Sequence, residues 1–551
     1  MMAALLIYVY VMLSAFQTSF SQSDPAPLVS VRNGTLRGAS MTVKGSDRLV
    51  QQYLGIPFAR PPLGPLRLSA PQPAESWEGE RDATQQPPMC LQDRDTVSGM
   101  SQFLGMEFSV PPVSEDCLFL NVYTPAKPTD TEKLPVFVWI HGGGYRFGAA
   151  SQYDGSVLAA HENMVVVIVQ YRLGILGFFS TGDEHAQGNW GLLDQLAALQ
   201  WVQENIENFG GDPNSVTIAG ESAGGISTSF LVLSPLSKGL FHRAIFQSGT
   251  ATVAGFSTST PMLHAKTVAN LTGCEPSSTE ALVQCLRNKT DEELIGAMKK
   301  RITISATVDE KFLTAPAEQV LKSKDFLKVP ILLGVTNHEV GWSMAQLFLP
   351  RGWEKGMDRA TLLGALKGAF FSAAMPGAYE IMVDEYLKDA KTPEDIRDAS
   401  LELLSDLFLV IPALNVANYH RDAGVSVYLY EFQHGPEMHK NRRPSFVKAD
   451  HGDDLGFVFG ACFWSGHIKL NGTTTEEENQ LCKTVMSYWA NFARTSSPNG
   501  AGLVPWPLYD ASNKYLKLDL QQSEGQDLKK DRLLFFTQEL PRRLAALAIT
   551  H

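Results

Sequence analysis

A serine framed by glycines, Gly220-Glu221-Ser222-Ala223-Gly224, occurs once in this chain. Gly-x-Ser-x-Gly is the pattern of a nucleophile elbow, a sharp strand-to-helix turn that lifts the serine Oγ clear of the backbone and that a side chain at either glycine would crowd. A serine hydroxyl is a weak nucleophile at neutral pH. It needs a base within reach, a group that orients the base, and donors for the oxyanion of an acyl-transfer intermediate. For the donors, His141-Gly142-Gly143-Gly144 follows an apolar run. Its bare N–H groups can join the N–H of Ala223, the residue after the serine. The base belongs downstream, where His242, His264, His338, His420, His434, His439, His451, His467 and His551 are available. His451 stands in the polar, turn-forming stretch Lys448-Ala449-Asp450-His451-Gly452-Asp453-Asp454, from which a loop side chain can reach over strand ends. The acid belongs between serine and base. Glu339 lies just past an apolar run, where α/β sites collect their residues, and Asp309, Glu310 and Asp325 compete with it on position.

Elements able to position these groups are legible around them. Residues 215–219 (SVTIA) read as a strand and 226–233 as a helix that ends before Pro235. Residues 190–209 carry Leu193, Leu196, Leu199, Ile206 and Phe209 at helical spacing, and Gly210-Gly211-Asp212-Pro213 breaks the pattern. Residues 134–140 (LPVFVWI) and 329–335 (VPILLGV) read as buried strands leading into the glycine run and Glu339. Helix, turn, strand, elbow and helix in that order predict an α/β fold.

The 551 residues contain no linker, repeat or charge block, so one domain is expected after the leader. A net charge of −12 argues against nucleic-acid binding, which needs a basic footprint. Residues 1–21 carry an apolar stretch followed by small residues and read as a secretory signal peptide, without the usual basic start. No other run is long and apolar enough to suggest a membrane span, and no Cys/His cluster suggests a metal or other cofactor. Asn33, Asn270, Asn288 and Asn471 head glycosylation sequons. Six cysteines in an oxidising compartment allow fifteen connectivities. Short loops favour Cys90–Cys117 and Cys274–Cys285, each stabilising by about 2–4 kcal/mol. Cys462 and Cys482 could pair, but buried thiols are the expected state.

The segments Phe209-Gly210-Gly211-Asp212-Pro213-Asn214-Ser215-Val216-Thr217-Ile218-Ala219-Gly220-Glu221-Ser222-Ala223-Gly224 and Glu115-Asp116-Cys117-Leu118-Phe119-Leu120-Asn121-Val122 resemble the two signatures of the type-B carboxylesterases, the family related to cholinesterases. The likeness covers essentially everything after the leader and is strongest to the carboxylesterase 2, or cocaine-esterase, type. It implies an α/β-hydrolase fold, with a large, mostly parallel sheet flanked by helices over residues 22–551. It further implies Ser222 as nucleophile, Glu339 as acid, His451 as base, and Gly143, Gly144 and Ala223 as the oxyanion hole. It also implies the two short-loop disulfides, leaves Cys462 and Cys482 unpaired, needs no cofactor, and suggests esters of a small acid with a bulky alcohol. Two departures matter. The ending Ala548-Ile549-Thr550-His551 is not a lumenal retention signal, which favours secretion over residence in the endoplasmic reticulum. Residues 91–116 lack the tryptophan that cholinesterases use for choline, which disfavours a choline-specific enzyme. Lipase or sterol-esterase activity is the nearest alternative, and a non-catalytic, neuroligin-like adhesion protein is the alternative from another class.

Overall fold

The strand over residues 134–140 forms as the apolar run dictates, and its alternate residues divide between two cores. Val136, Val138 and Ile140 face one, while Phe137 and Trp139 face the other. Burial on both faces explains why the strand reads as a continuous apolar run. A computed structural model describes residues 26–126, 133–274, 277–300, 302–368 and 377–550, so the leader at residues 1–21 lies outside the described residues. Its main sheet has eleven strands: β1 (Ala39–Val43), β2 (Ser46–Pro57), β3 (Phe119–Pro125), β4 (Leu134–Ile140), β5 (Val165–Val169), β6 (Gly211–Glu221), β7 (Arg243–Gln247), β8 (Ile331–Thr336), β9 (Val427–Phe432), β10 (Lys514–Leu518) and β11 (Ser523–Gln526). Their order across the sheet is β11-β10-β9-β8-β7-β6-β4-β5-β3-β2-β1. Every pairing from β5 through to β10 is parallel, and antiparallel strands close both edges.

Helices cover both faces. Trp190–Asn205 and Ala223–Leu233 contribute to the larger core and Ser156–Glu162 and Glu476–Thr495 to the smaller. The helix expected at 190–209 runs as α-helix to Asn205, tightens into a 3₁₀ turn and stops at Gly210, whose φ of 82° suits glycine. The sheet resumes at once. Gly211 pairs with Leu134, and a register shift precedes Val216, so β6 starts earlier than the β-branched run suggests.

Two expectations are corrected. Cys462 and Cys482 are bonded to each other, with Cα atoms 6.5 Å apart, alongside Cys90–Cys117 and Cys274–Cys285. Both are buried, as expected, but the turn Ala461–Phe463 packs on the helix Glu476–Thr495 and brings the sulfurs together. Second, one continuous helix, Pro393–Asp422, is long and apolar enough by composition to cross a bilayer. Glu402 and Asp406 interrupt its apolar run, which hides it from a run count. A π-helical turn at Asp406–Val410 carries it on towards Pro412. Most of its apolar stretch is buried inside this fold, as in the core helix of a soluble protein, and the Asp406 carboxylate accepts from the Tyr386 hydroxyl at 2.8 Å.

Candidate active site

β6 ends at Glu221, and the chain reverses at Ser222 with φ 54° and ψ −124°, a conformation that non-glycine residues rarely adopt. The helix Ala223–Leu233 begins at the next residue. Surrounding structure enforces the strain. Ser222 N donates to Gln247 O of β7 at 2.9 Å. A Cβ at Gly220 or Gly224 would collide with Ile140 O at the end of β4, so the elbow and the glycine run lie backbone against backbone.

β4 delivers His141 to Gly144 to the same edge. Burial pushes His141 down to about 4 and keeps it neutral. Its ring stacks on Tyr171 at 4.5 Å, and the Tyr171 hydroxyl donates to its carbonyl at 2.7 Å. Gly143 (φ 105°) and Gly144 (φ 62°) need glycine's freedom. The Gly143 carbonyl is occupied by the N–H groups of Arg146 and Phe147 at 3.0 and 3.2 Å. Among the described residues, the N–H groups of Gly143, Gly144 and Ala223 have no acceptor. Ala223 opens its helix, where unpaired N–H groups sit at the positive end of the helix dipole.

Glu339 lies three residues past β8 with its side chain fully buried. Its Oε1 accepts from Ser248 Oγ at 2.6 Å and Thr336 N at 2.8 Å, and its Oε2 lies 2.7 Å from His451 Nδ1. His451 arrives on a turn tied to the Glu339 loop. Ala449 N donates to Asn337 Oδ1 (3.1 Å), and Asp450 accepts from Trp342 N (2.9 Å) and Ser343 N (2.8 Å). The other imidazole nitrogen, Nε2, is 3.0 Å from Glu221 Oε1, out of line for a hydrogen bond. Burial opposes the imidazolium, but Glu221, Glu339 and Asp450 outweigh it and hold His451 above the ordinary histidine range. Burial raises Glu221 to about 7, with Asp454 and Glu339 adding to the rise and His451 opposing it. The two groups titrate as a unit, because a proton on Glu221 removes its hold on His451.

Ser222, Gly143, Gly144, Glu221 and His451 open onto one cavity of about 1100 Å³ whose walls include Phe256, Leu347, Phe408 and Phe459. Apolar walls converging on a few polar groups suit an uncharged organic substrate. Among the competing histidines, His439 also lines the cavity, but burial pushes it down to about 3. Asp309 is taken up in capping the N–H groups of Lys311, Phe312 and Leu313.

A model of the carboxylesterase family matches residues 25–536. The chain belongs to the carboxylesterase family. It is 48% identical over 529 residues to a human cocaine esterase, covering 96% of this chain and 94% of that one. It is 48% identical to a medium-chain fatty acyl-CoA hydrolase precursor of Anas platyrhynchos, covering 94% and 93%. It is 46% identical to the pyrethroid hydrolase Ces2e of Rattus norvegicus, covering 96% and 92%. This carboxylesterase is a carboxylic-ester hydrolase on an α/β-hydrolase sheet. Three disulfides fit a protein of the secretory pathway. Sequence reasoning missed Ser248 and the charge role of Glu221. Glu221 stood inside the serine motif, and Ser248 follows β7 within Gln247-Ser248-Gly249, a glycine-bearing strand end like the others.

Proposed function

We propose that this carboxylesterase works through a Ser222 acyl-enzyme, with His451 as general base and acid and Glu339 as the group that orients it. The carrying observation is the 2.7 Å contact from His451 Nδ1 to the fully buried Glu339 carboxylate, beside the cavity that Ser222 enters. Serine–histidine bonds are often loose without substrate and tighten in the Michaelis complex. Nε2 takes the Oγ proton as Oγ bonds to the acyl carbon, and the oxyanion rests on the N–H groups of Gly143, Gly144 and Ala223. The imidazolium then protonates the leaving alcohol. Water, deprotonated by the same nitrogen, releases the acid and restores Ser222. Relatives named for cocaine, pyrethroid and acyl-CoA hydrolysis support a broad range of esters and thioesters, and the same steps would cleave amides. We assign the preference to small acyl groups and bulky alcohols on the family likeness.

Covalent labelling with a fluorophosphonate tests the reading. The label is expected on Ser222 and should disappear in His451→Ala. A folded protein that takes no label would overturn it in favour of an adhesion-type relative.

The pH profile supplies a second prediction. In Glu221→Gln, the imidazolium loses the negative charge beside Nε2, so His451 gives up its proton at lower pH. The acidic limb of kcat/KM for a small ester should move down by about one to three pH units. An unmoved limb would show that Glu221 does not set the base.

Secretion fits the disulfides, and Asn270, Asn288 and Asn471 are exposed enough to carry glycans. Asn33 is less suited, since its amide nitrogen donates to Ala74 O at 2.9 Å. A single catalytic domain over residues 22–551 is supported by the one sheet that runs from β1 to β11.

A further inference from the structure

The Cys462–Cys482 bridge closes a segment that forms one wall of the catalytic cavity. Cys462, Trp464, Leu470, Thr474, Glu478 and Cys482 all line it. Between the turn Ala461–Phe463 and the helix Glu476–Thr495, this segment has only the two-residue strand Lys469–Leu470. That strand pairs antiparallel with Met106–Glu107, inside the loop closed by Cys90–Cys117, and Asn471 N donates to Gly105 O at 2.7 Å. The partner loop adds Met100, Leu104 and Met106 to the same cavity. Arg442 donates to Asn471 O at 2.8 Å from the outside. The wall is therefore two disulfide-closed loops zipped edge to edge, and Cys482 anchors one of them to a helix of the smaller core. Ser222, Glu339 and the turn carrying His451 sit on other elements.

We propose that the Cys462–Cys482 bridge is a specificity-determining element of the ester site, fixing the wall that grips the bulkier group of a substrate. With the bridge open, the 463–475 stretch keeps its zipper, the His467 contacts to Ser151 O and Gln86 and the buried Phe463 and Ile468, but loses the covalent tie that holds Cys462 to the helix. Contacts to a large group then loosen more than those to a small ester, which is held at the elbow and the glycine run. The inference rests on the Ser222 reading, and the test separates the two.

The experiment compares Cys462→Ser/Cys482→Ser with the parent enzyme on 4-nitrophenyl acetate, on the acetate of a polycyclic alcohol, and on the methyl ester of a bulky acid. KM for at least one bulky ester is expected to rise about tenfold or more, the scale of pocket contacts. The ratio of kcat/KM for 4-nitrophenyl acetate to that for this bulky ester should rise by about tenfold or more. Equal losses on all three esters, or no change on any, would overturn the proposal. If the double variant does not fold, the parent enzyme is reduced with a phosphine and alkylated, with mass mapping of Cys462 and Cys482. The same ratio of esters then decides. Failure of the Ser222 reading would look different, because the parent enzyme itself would neither label nor turn over the acetate.

Discussion

Glu339→Gln should lower kcat by about four orders of magnitude and leave the protein folded, as loss of the orienting acid does in other triads. The side chains match in size, and the amide oxygen can still accept from Ser248 Oγ and Thr336 N where Oε1 does now. The change falls at Oε2, 2.7 Å from His451 Nδ1. An amide NH₂ there donates, so Nδ1 must accept and the single proton of the neutral ring moves to Nε2. That tautomer cannot take the proton of Ser222. Steady-state kcat on one ester, with the melting temperature alongside, checks the outcome. Near-normal turnover in the folded variant would place the orienting acid elsewhere.

Gly224→Ala should also cost activity heavily, for a different reason. Its Cβ would enter the space of Ile140 O and the His141 carbonyl, where β4 turns into the glycine run. Neither backbone can yield alone, because the elbow is pinned to β7 through Ser222 N. Overpacking of this kind costs about 1–3 kcal/mol. Misplacing the oxyanion donors costs about 10²–10³ in kcat. Gly99→Ala is the control. It lies within the helix Arg94–Phe103, a Cβ there meets nothing, and it should raise stability by up to about 1 kcal/mol. Equal melting temperatures and rates for the two variants would show that the elbow tolerates a methyl group.

Where burial decides the element, the sequence is readable. Residues 134–140 form a strand with the bounds that their apolar run suggests. The strand before the elbow is less so, because Gly211 to Pro213 carry the marks of a turn yet belong to β6, through a pairing with Leu134 that only the neighbouring strand can supply. The proposed acid and base are harder still. Local chemistry favours His451 among nine histidines and Glu339 among four carboxylates without deciding either, and the family likeness raises both above the rest. What joins them is a contact between strand ends, the bridge of His338 to Asp450 with the bonds around it. No local window contains both partners. The third disulfide was hidden for the same reason, since spacing cannot tell two neighbouring buried thiols from a bonded pair.

The parallel middle of the sheet also governs how this enzyme comes to be active after synthesis. Parallel neighbours cannot be joined by a tight turn, so each pairing closes a long loop and pays chain entropy before it gains contacts. Glu339 and His451 are 112 residues apart along the chain. They meet only after β8 and β9 have docked, late in a process during which apolar strand edges stand open to other chains. With Glu339 and His451 in their proposed roles, catalytic competence is a late product of assembly, and the appearance of ester turnover during refolding times the closure of the sheet, not the formation of its helices.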